Sequence, residues 1–140
     1  MTKLKGSCVL LADRHHGLRD SVRGLLESEF ESVFMVADEA SLLEGAGRLK
    51  PAVVAFDITL AGGDLPVLLK RVNERSPLSK VLLLSVYDEP NIADAALAAG
   101  ADGIVVKHSL ATDLLQAIDT VLAGKQYRSP AISLHTKAQL

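Results

Sequence analysis

Cysteine is nearly absent. Cys8 alone cannot form an internal disulfide, and at the head of an apolar run it reads as a small core residue in a reducing compartment. No apolar stretch approaches the roughly 20 residues of a spanning helix. The segment Met1-Thr2-Lys3-Leu4-Lys5-Gly6 lacks the apolar core of a secretory signal. A cytoplasmic location without membrane contact is the expectation. Neither sign of charge dominates: 15 basic against 17 acidic residues leave a net charge of −2, which exerts no global pull on nucleic acid. Any DNA contact by this chain alone is therefore expected to be weak. Tryptophan is missing and aromatics reach only 4%. There is no low-complexity segment and no sequence repeat, and 140 residues are expected to form one domain able to bury about two-thirds of its unfolded surface.

What is present is a set of short apolar runs that end in polar residues. Val9-Leu10-Leu11-Ala12 leads into Asp13, Val53-Val54-Ala55-Phe56 into Asp57, Val81-Leu82-Leu83-Leu84 into Ser85, and Ile104-Val105-Val106 into Lys107. Runs this short, without polar alternation, are the mark of strands buried on both faces, as in a parallel sheet covered by helices. Ligands of such sheets bind beyond the carboxyl ends of the strands, where strand order reverses. Two carboxylates, a hydroxyl and an ammonium are thus expected at one edge.

Helical spacing fills the intervals. Leu18, Val22, Leu25 and Leu26 form one stripe; Leu42, Ala46 and Leu49 another, capped by Asp38 and stopped by Pro51. Val33-Phe34-Met35-Val36 is the remaining strand. Asp64 caps a third helix with Leu65, Leu68, Leu69 and Val72 inward, and Asp88-Glu89-Pro90 starts a fourth that Gly100 stops. Ser109 is the expected cap of a fifth, with Leu114, Leu115, Ile118, Val121 and Leu122 on one side. Five βα units too close for a closed barrel predict an α/β, doubly wound, three-layer αβα sandwich of flavodoxin-like (βα)5 type, with parallel strand order 2-1-3-4-5. Residues 1–124 are assigned to this domain. Residues 125–140 have no sustained periodicity and read as a tail or the start of a linker.

Carboxylates held a few ångströms apart repel unless a cation lies between them, and the hard ion suited to carboxylate, carbonyl and water is Mg²⁺. Asp57 can then attack a phosphoryl group while Lys107 neutralises its oxygens and Ser85 bonds it. Rival chemistries lack their residues. A haloacid-dehalogenase-type phosphatase needs a second Asp where Thr59 stands, and Asp13-Arg14-His15-His16-Gly17 is not the glycine-rich turn of a dinucleotide site. That turn is also unlike a flavin phosphate loop. The adjacent His15 and His16 are expected to diverge into solvent rather than bind a metal together.

Val9 to Asp13, Asp57-Ile58-Thr59-Leu60-Ala61-Gly62-Gly63-Asp64, Leu83-Leu84-Ser85 and Ala98-Ala99-Gly100-Ala101-Asp102-Gly103 ahead of Lys107 together resemble the receiver domain of two-component response regulators. Leu10-Leu11-Ala12-Asp13 with His15, and Val121 to Tyr127 with Ser129-Pro130, resemble the subfamily whose receivers precede a LuxR/NarL-type helix-turn-helix. The resemblance implies that Asp57 is the phospho-acceptor, that Asp13, Asp57 and the Thr59 carbonyl hold Mg²⁺, that Ser85 is the switch hydroxyl and that Lys107 binds the phosphate. It further implies a sensor histidine kinase as partner, a homodimer, transcriptional control through an output domain outside this chain, and no enzyme activity beyond slow self-dephosphorylation.

Three departures from the pattern matter. Arg14 stands where receivers carry a second, metal-binding acid, so Mg²⁺ affinity is expected to be low. Its guanidinium can reach Asp13 or Asp57 as a partner standing in for the metal, or simply extend into water. Ile104 and Val105 occupy the place of the usual switching aromatic, and His108 follows the lysine where proline is common. The first departure leaves open a second reading, a phosphorylation-independent pseudo-receiver that serves as a protein-interaction module with Arg14 in the metal's place. Lys107, as a strand-end lysine burying only its stem, is expected to contribute little to stability.

Overall fold

The computed structural model describes residues 4–132. Six strands form one wholly parallel sheet: β1 (Leu4–Ala12), β2 (Phe30–Val36), β3 (Val53–Asp57), β4 (Lys80–Ser85), β5 (Gly103–Val106) and β6 (Tyr127–Arg128), in the order β2-β1-β3-β4-β5-β6. Between them run α1 (His16–Glu27), α2 (Glu39–Leu49), α3 (Leu65–Arg75), α4 (Pro90–Ala98) and α5 (Leu110–Leu122). The expected doubly wound sandwich is present. Its central strands are apolar on both faces because both faces are covered. Leu10, Val54, Phe56, Leu83 and Ile104 pack toward α2, α3 and α4, whereas Leu11, Val53, Leu82, Leu84 and Val105 pack with Val22 and Leu26 of α1 and Leu114, Ile118 and Val121 of α5.

Side-chain caps start α2 and α3, whereas α1, α4 and α5 begin without one. Asp38 accepts a hydrogen bond from the Ser41 amide at 2.7 Å, and Asp64 from the Val67 amide at 3.3 Å, with Pro66 in the first turn of α3. Ser109 makes no side-chain cap. Lys107–Ser109 instead tighten into a single 3-10 turn, and the Ser109 carbonyl accepts from the Thr112 hydroxyl at 2.9 Å. Leu122 also departs from its expected stripe and is 36% exposed, because it lies on the flank of the helix, two turns from half-buried Leu115, while Val121 beside it faces the core.

Beyond Gly124 the structure differs from the sequence expectation. The segment expected as a tail or linker start adds β6 to the sheet edge, and Tyr127, Ser129 and Ile132 are buried. Ser129 Oγ accepts the Val106 amide at 2.9 Å, and the Ser129 amide donates to the Ile104 carbonyl at 3.1 Å. A two-residue strand carries too few residues to show alternation, which is why periodicity missed it. Gly103 makes room for it: a Cβ there would stand 2.7 Å from Leu82 Cδ2 and 3.1 Å from Tyr127 Cβ. Residues 133–140 of the expected tail lie outside the described residues. No helix among the described residues is long and apolar enough to cross a membrane.

Candidate functional site at the carboxyl edge of the sheet

Strand order reverses at β1, which lies between β2 and β3. Ala12 pairs in register with Phe56, so Asp13 and Asp57 follow on neighbouring strands, which are about 4.8 Å apart. Ser85 ends the next strand, and Lys107 follows Val106, the partner of Ser85. Lys107 thus starts two strands from Asp57, about 10 Å away at the backbone. Its four-carbon stem spans the gap over the end of β4.

The ammonium arrives between the acids. Lys107 Nζ is 2.6 Å from Asp57 Oδ2 and 2.6 Å from Asp13 Oδ2. Asp13 is 0% and Asp57 4% exposed, and 9% of the lysine side chain is exposed. The Asp57 contact is a hydrogen bond and the Asp13 contact an ion pair of the same length, so one ammonium serves both buried carboxylates. Asp57 Oδ1 accepts the Thr59 amide at 2.9 Å, which fixes the carboxylate at the head of a short 3-10 turn, Ile58–Ala61. Burial alone pushes the Asp57 carboxyl up, but the Lys107 hydrogen bond, the Thr59 amide and the lysine's charge outweigh it and hold the pKa below its ordinary value. Burial likewise pulls the Lys107 ammonium down, and the hydrogen bonds and charges of Asp13 and Asp57 raise it net. At neutral pH the site holds an anionic Asp57 against a cationic lysine.

Ser85 is buried beside this pair and bonds neither member among the described residues; its Oγ accepts the Tyr87 amide at 3.0 Å. The Thr59 carbonyl accepts the Gly62 amide at 3.3 Å, one of the two hydrogen bonds a carbonyl oxygen can take. Gly62 adopts φ +61°, the left-handed conformation that closes this turn and favours glycine. Ile104 and Val105 are fully buried on opposite faces of β5, with no ring at either position.

Of the two positions open to it, Arg14 takes the one in water. It is exposed and forms no ion pair or hydrogen bond among the described residues, so it neither partners the carboxylates nor sits in a metal's place. Lys107 has that role because it approaches from β5 above the buried pair, whereas residue 14 has already left the sheet. The low-stability expectation for Lys107 is corrected for the same reason: its head, and not only its stem, is enclosed.

His15 was missed as a member of the site. Its ring is 73% exposed, yet Nδ1 is 3.0 Å from Asp13 Oδ1, and the same oxygen accepts the His15 amide at 2.8 Å. The signal was available in Asp13-Arg14-His15, since an Asp readily bonds the backbone two residues on. His16 diverges toward Asp20, with Nε2 3.1 Å from Oδ2. One ligand atom each from Asp13, His15 and Asp57 lie within 4.8 Å of one another. Two buried carboxylates side by side, offset by the single charge of Lys107, fit a divalent cation with oxygen ligands.

Comparison with known proteins decides the family. The response regulator receiver domain signature matches residues 9–119. The chain belongs to the response regulator receiver family. Similar proteins include the transcriptional regulatory protein DegU of Brevibacillus brevis, 28% identical over 127 residues covering 89% of this chain and 54% of DegU. The chain thus spans about half the length of that relative. Among solved structures, a LuxR-family two-component response regulator from an Aurantimonas species superposes with a TM-score of 0.80 at 25% identity, covering 95% of this chain and 96% of that one. The isolated receiver domain of RcsB from Salmonella enterica serovar Typhimurium, solved in the presence of phosphomimetic BeF3−, superposes with a TM-score of 0.76 at 25% identity, covering 91% of this chain and 96% of that one. The receiver is of the LuxR/NarL type.

Proposed function

We propose that this receiver accepts a phosphoryl group on Asp57 from the phosphohistidine of a sensor histidine kinase. The observation that carries the reading is the Lys107 ammonium 2.6 Å from both buried carboxylates. It keeps Asp57 ionised, so the nucleophile needs no general base. In the transfer, an Asp57 oxygen forms the new bond to phosphorus as the phosphorus–nitrogen bond to the kinase histidine breaks, and that imidazole leaves with the electron pair and takes up a proton. Lys107 can follow the charge from the carboxylate to the phosphoryl oxygens, and the Ser85 hydroxyl, held at the strand end by the Tyr87 amide, can donate to them. Asp13, Asp57 and the Thr59 carbonyl would hold Mg²⁺, which when bound supplies charge neutralisation for the phosphoryl group. With Arg14 in place of a second acid, its affinity is low.

Phosphorylation adds nearly two negative charges where one carboxylate charge stood. The ammonium that now bridges Asp13 and Asp57 must then be shared with the phosphoryl group, which loosens the loop after β4 and the surface around α4 and β5. With aliphatic Ile104 and Val105 in β5, the change travels through loop backbone and packing rather than a ring flip. The output is a homodimer and transcriptional control through a helix-turn-helix domain outside this chain; cytoplasmic phosphorelay signalling is the setting. Intact-mass analysis after incubation with a small phosphodonor and Mg²⁺ is expected to show one added phosphoryl group, absent in Asp57→Asn. Modification that survives in that variant overturns the assignment.

A further inference from the structure

We propose that residues 127–132 form a strap that reads the state of the Lys107 ion cluster, closed on β5 and α4 while the ammonium bridges Asp13 and Asp57, and loosened when a phosphoryl group on Asp57 draws the ammonium to itself. The strap rests on the phospho-acceptor reading for its trigger. Its coupling to the site is short. Val106, whose amide donates to Ser129 Oγ at 2.9 Å, directly precedes Lys107, whose Nζ lies 2.6 Å from both carboxylates. In a continuing parallel ladder the Ser129 carbonyl would take the Val106 amide, one rung after the Ser129 amide donates to the Ile104 carbonyl at 3.1 Å. Here that carbonyl turns away at Pro130 to accept the Ile132 amide at 3.0 Å, and the hydroxyl stands in for it. A displacement of Lys107 therefore acts first on the bond that closes the strap.

The strap is a marginal attachment. Ile132 is buried in one cluster with Ala93 and Ala96 of α4 and with Ile104 and Val106 of β5. The buried residues of α4 are those two alanines, which bury little area each, so Ile132 supplies bulk that α4 itself lacks. Arg128 adds an ion pair with Asp94, 2.5 Å between partly exposed side chains, which contributes little. Two features weigh against the closed state. The strand β6 is only two residues long, and the Tyr127 hydroxyl is buried with no hydrogen-bond partner among the described residues. Segments held by so few backbone bonds open locally without unfolding the rest. Opening detaches the strap from the sheet edge and from α4 together.

Amide hydrogen exchange on the whole chain tests the coupling, with beryllofluoride and Mg²⁺ as the phosphoryl mimic. In wild type the amides of Val106, Ser129 and Ile132 are expected to exchange faster than those of β1 and β3, the mark of local opening. The mimic should quicken these three by at least about tenfold and leave β1 and β3 no faster. Linkage requires the reverse effect: Ile132→Ala, which loosens the strap away from the carboxylates, should tighten beryllofluoride binding by about fivefold. Lys107→Met should quicken the same three amides by at least about tenfold with no mimic present, because nothing then pins the end of β5. Mimic bound at the site, seen as a shift of the Ser85 amide, with all three rates unchanged overturns the strap and keeps the phospho-acceptor reading. Unchanged rates in Lys107→Met, or unchanged beryllofluoride affinity in Ile132→Ala, also overturn it. A mimic that does not bind, with the three rates raised in Lys107→Met, leaves the strap standing as a sensor of the ammonium and removes the phospho-acceptor reading.

Discussion

The two edges of the sheet are both polar and are built to opposite ends. At the amino edge, buried serines and an Asp find neutral or backbone partners close by: the Ser79 hydroxyl donates to the Pro51 carbonyl, Ser76 and Ser79 bond each other at 2.6 Å, and Asp102 accepts the Val81 amide at 2.8 Å. At the carboxyl edge two buried carboxylates converge on one ammonium. The first edge closes strand starts. The second concentrates like charges that only a cation relieves, a costly arrangement in a buried place. A fold that gains stability from satisfied polar groups tolerates the second kind where a ligand can complete it.

The sharpest way to break this contrast is Lys107→Met. Removing one member of a buried charge cluster strands the others, so a loss of about 3 kcal/mol at neutral pH is expected in chemical denaturation. The pH dependence follows from the shifts. Asp57, lowered below 3.8, contributes stability that is present above that value and is lost as pH falls through its folded-state pKa. Lys107, raised above 10.5, contributes stability that is present below that value and is lost as pH rises through its folded-state pKa. The difference between wild type and variant should therefore be widest between these limits and shrink at acid pH. A variant equal in stability to wild type at pH 7 would show that the cluster is relaxed in solution.

At the other edge, Asp102→Ala leaves the Val81 amide without its acceptor and should cost about 2 kcal/mol while leaving phosphodonor modification unchanged. A variant that lost modification without losing stability would mean the edges are coupled. Ser129→Ala removes the acceptor of the buried Val106 amide, and about 1 kcal/mol is expected, with faster amide exchange at Val106 and its neighbours in β5. Unchanged exchange would show that β6 docks through its backbone alone. Arg14→Ala should be smallest, within about 0.5 kcal/mol, because its side chain is exposed and forms no ion pair or hydrogen bond among the described residues. A larger change in thermal midpoint would return Arg14 to the site.

Much of this was legible in the sequence. The unalternating apolar runs of β1, β3, β4 and β5 can only be buried on both faces, and an all-parallel sheet puts all their carboxyl ends on one side; that was enough to gather Asp13, Asp57, Ser85 and Lys107. Contacts between side chains were less legible. Arg14 and Lys107 are both cations near two carboxylates in the sequence reading, and which one enters depends on the direction of approach. His15 read as a solvent histidine because one face of its ring is one, and the bond to Asp13 is formed by the other. The docked strand β6 went unseen because its register comes from Gly103 and Ser129 rather than from any pattern of its own.

The sequence by itself determined the layers, the strands and the edge at which charged groups meet, since these follow from the period of apolar residues and the handedness of parallel connections. Only the tertiary structure decided that Lys107, and not Arg14, lies between the acids, and that β6 docks on the sheet edge. The first rests on 2.6 Å separations between side chains distant in sequence. At such distances Coulomb and hydrogen-bond energies change steeply with position, and position is set by the whole sheet rather than by any local run of residues.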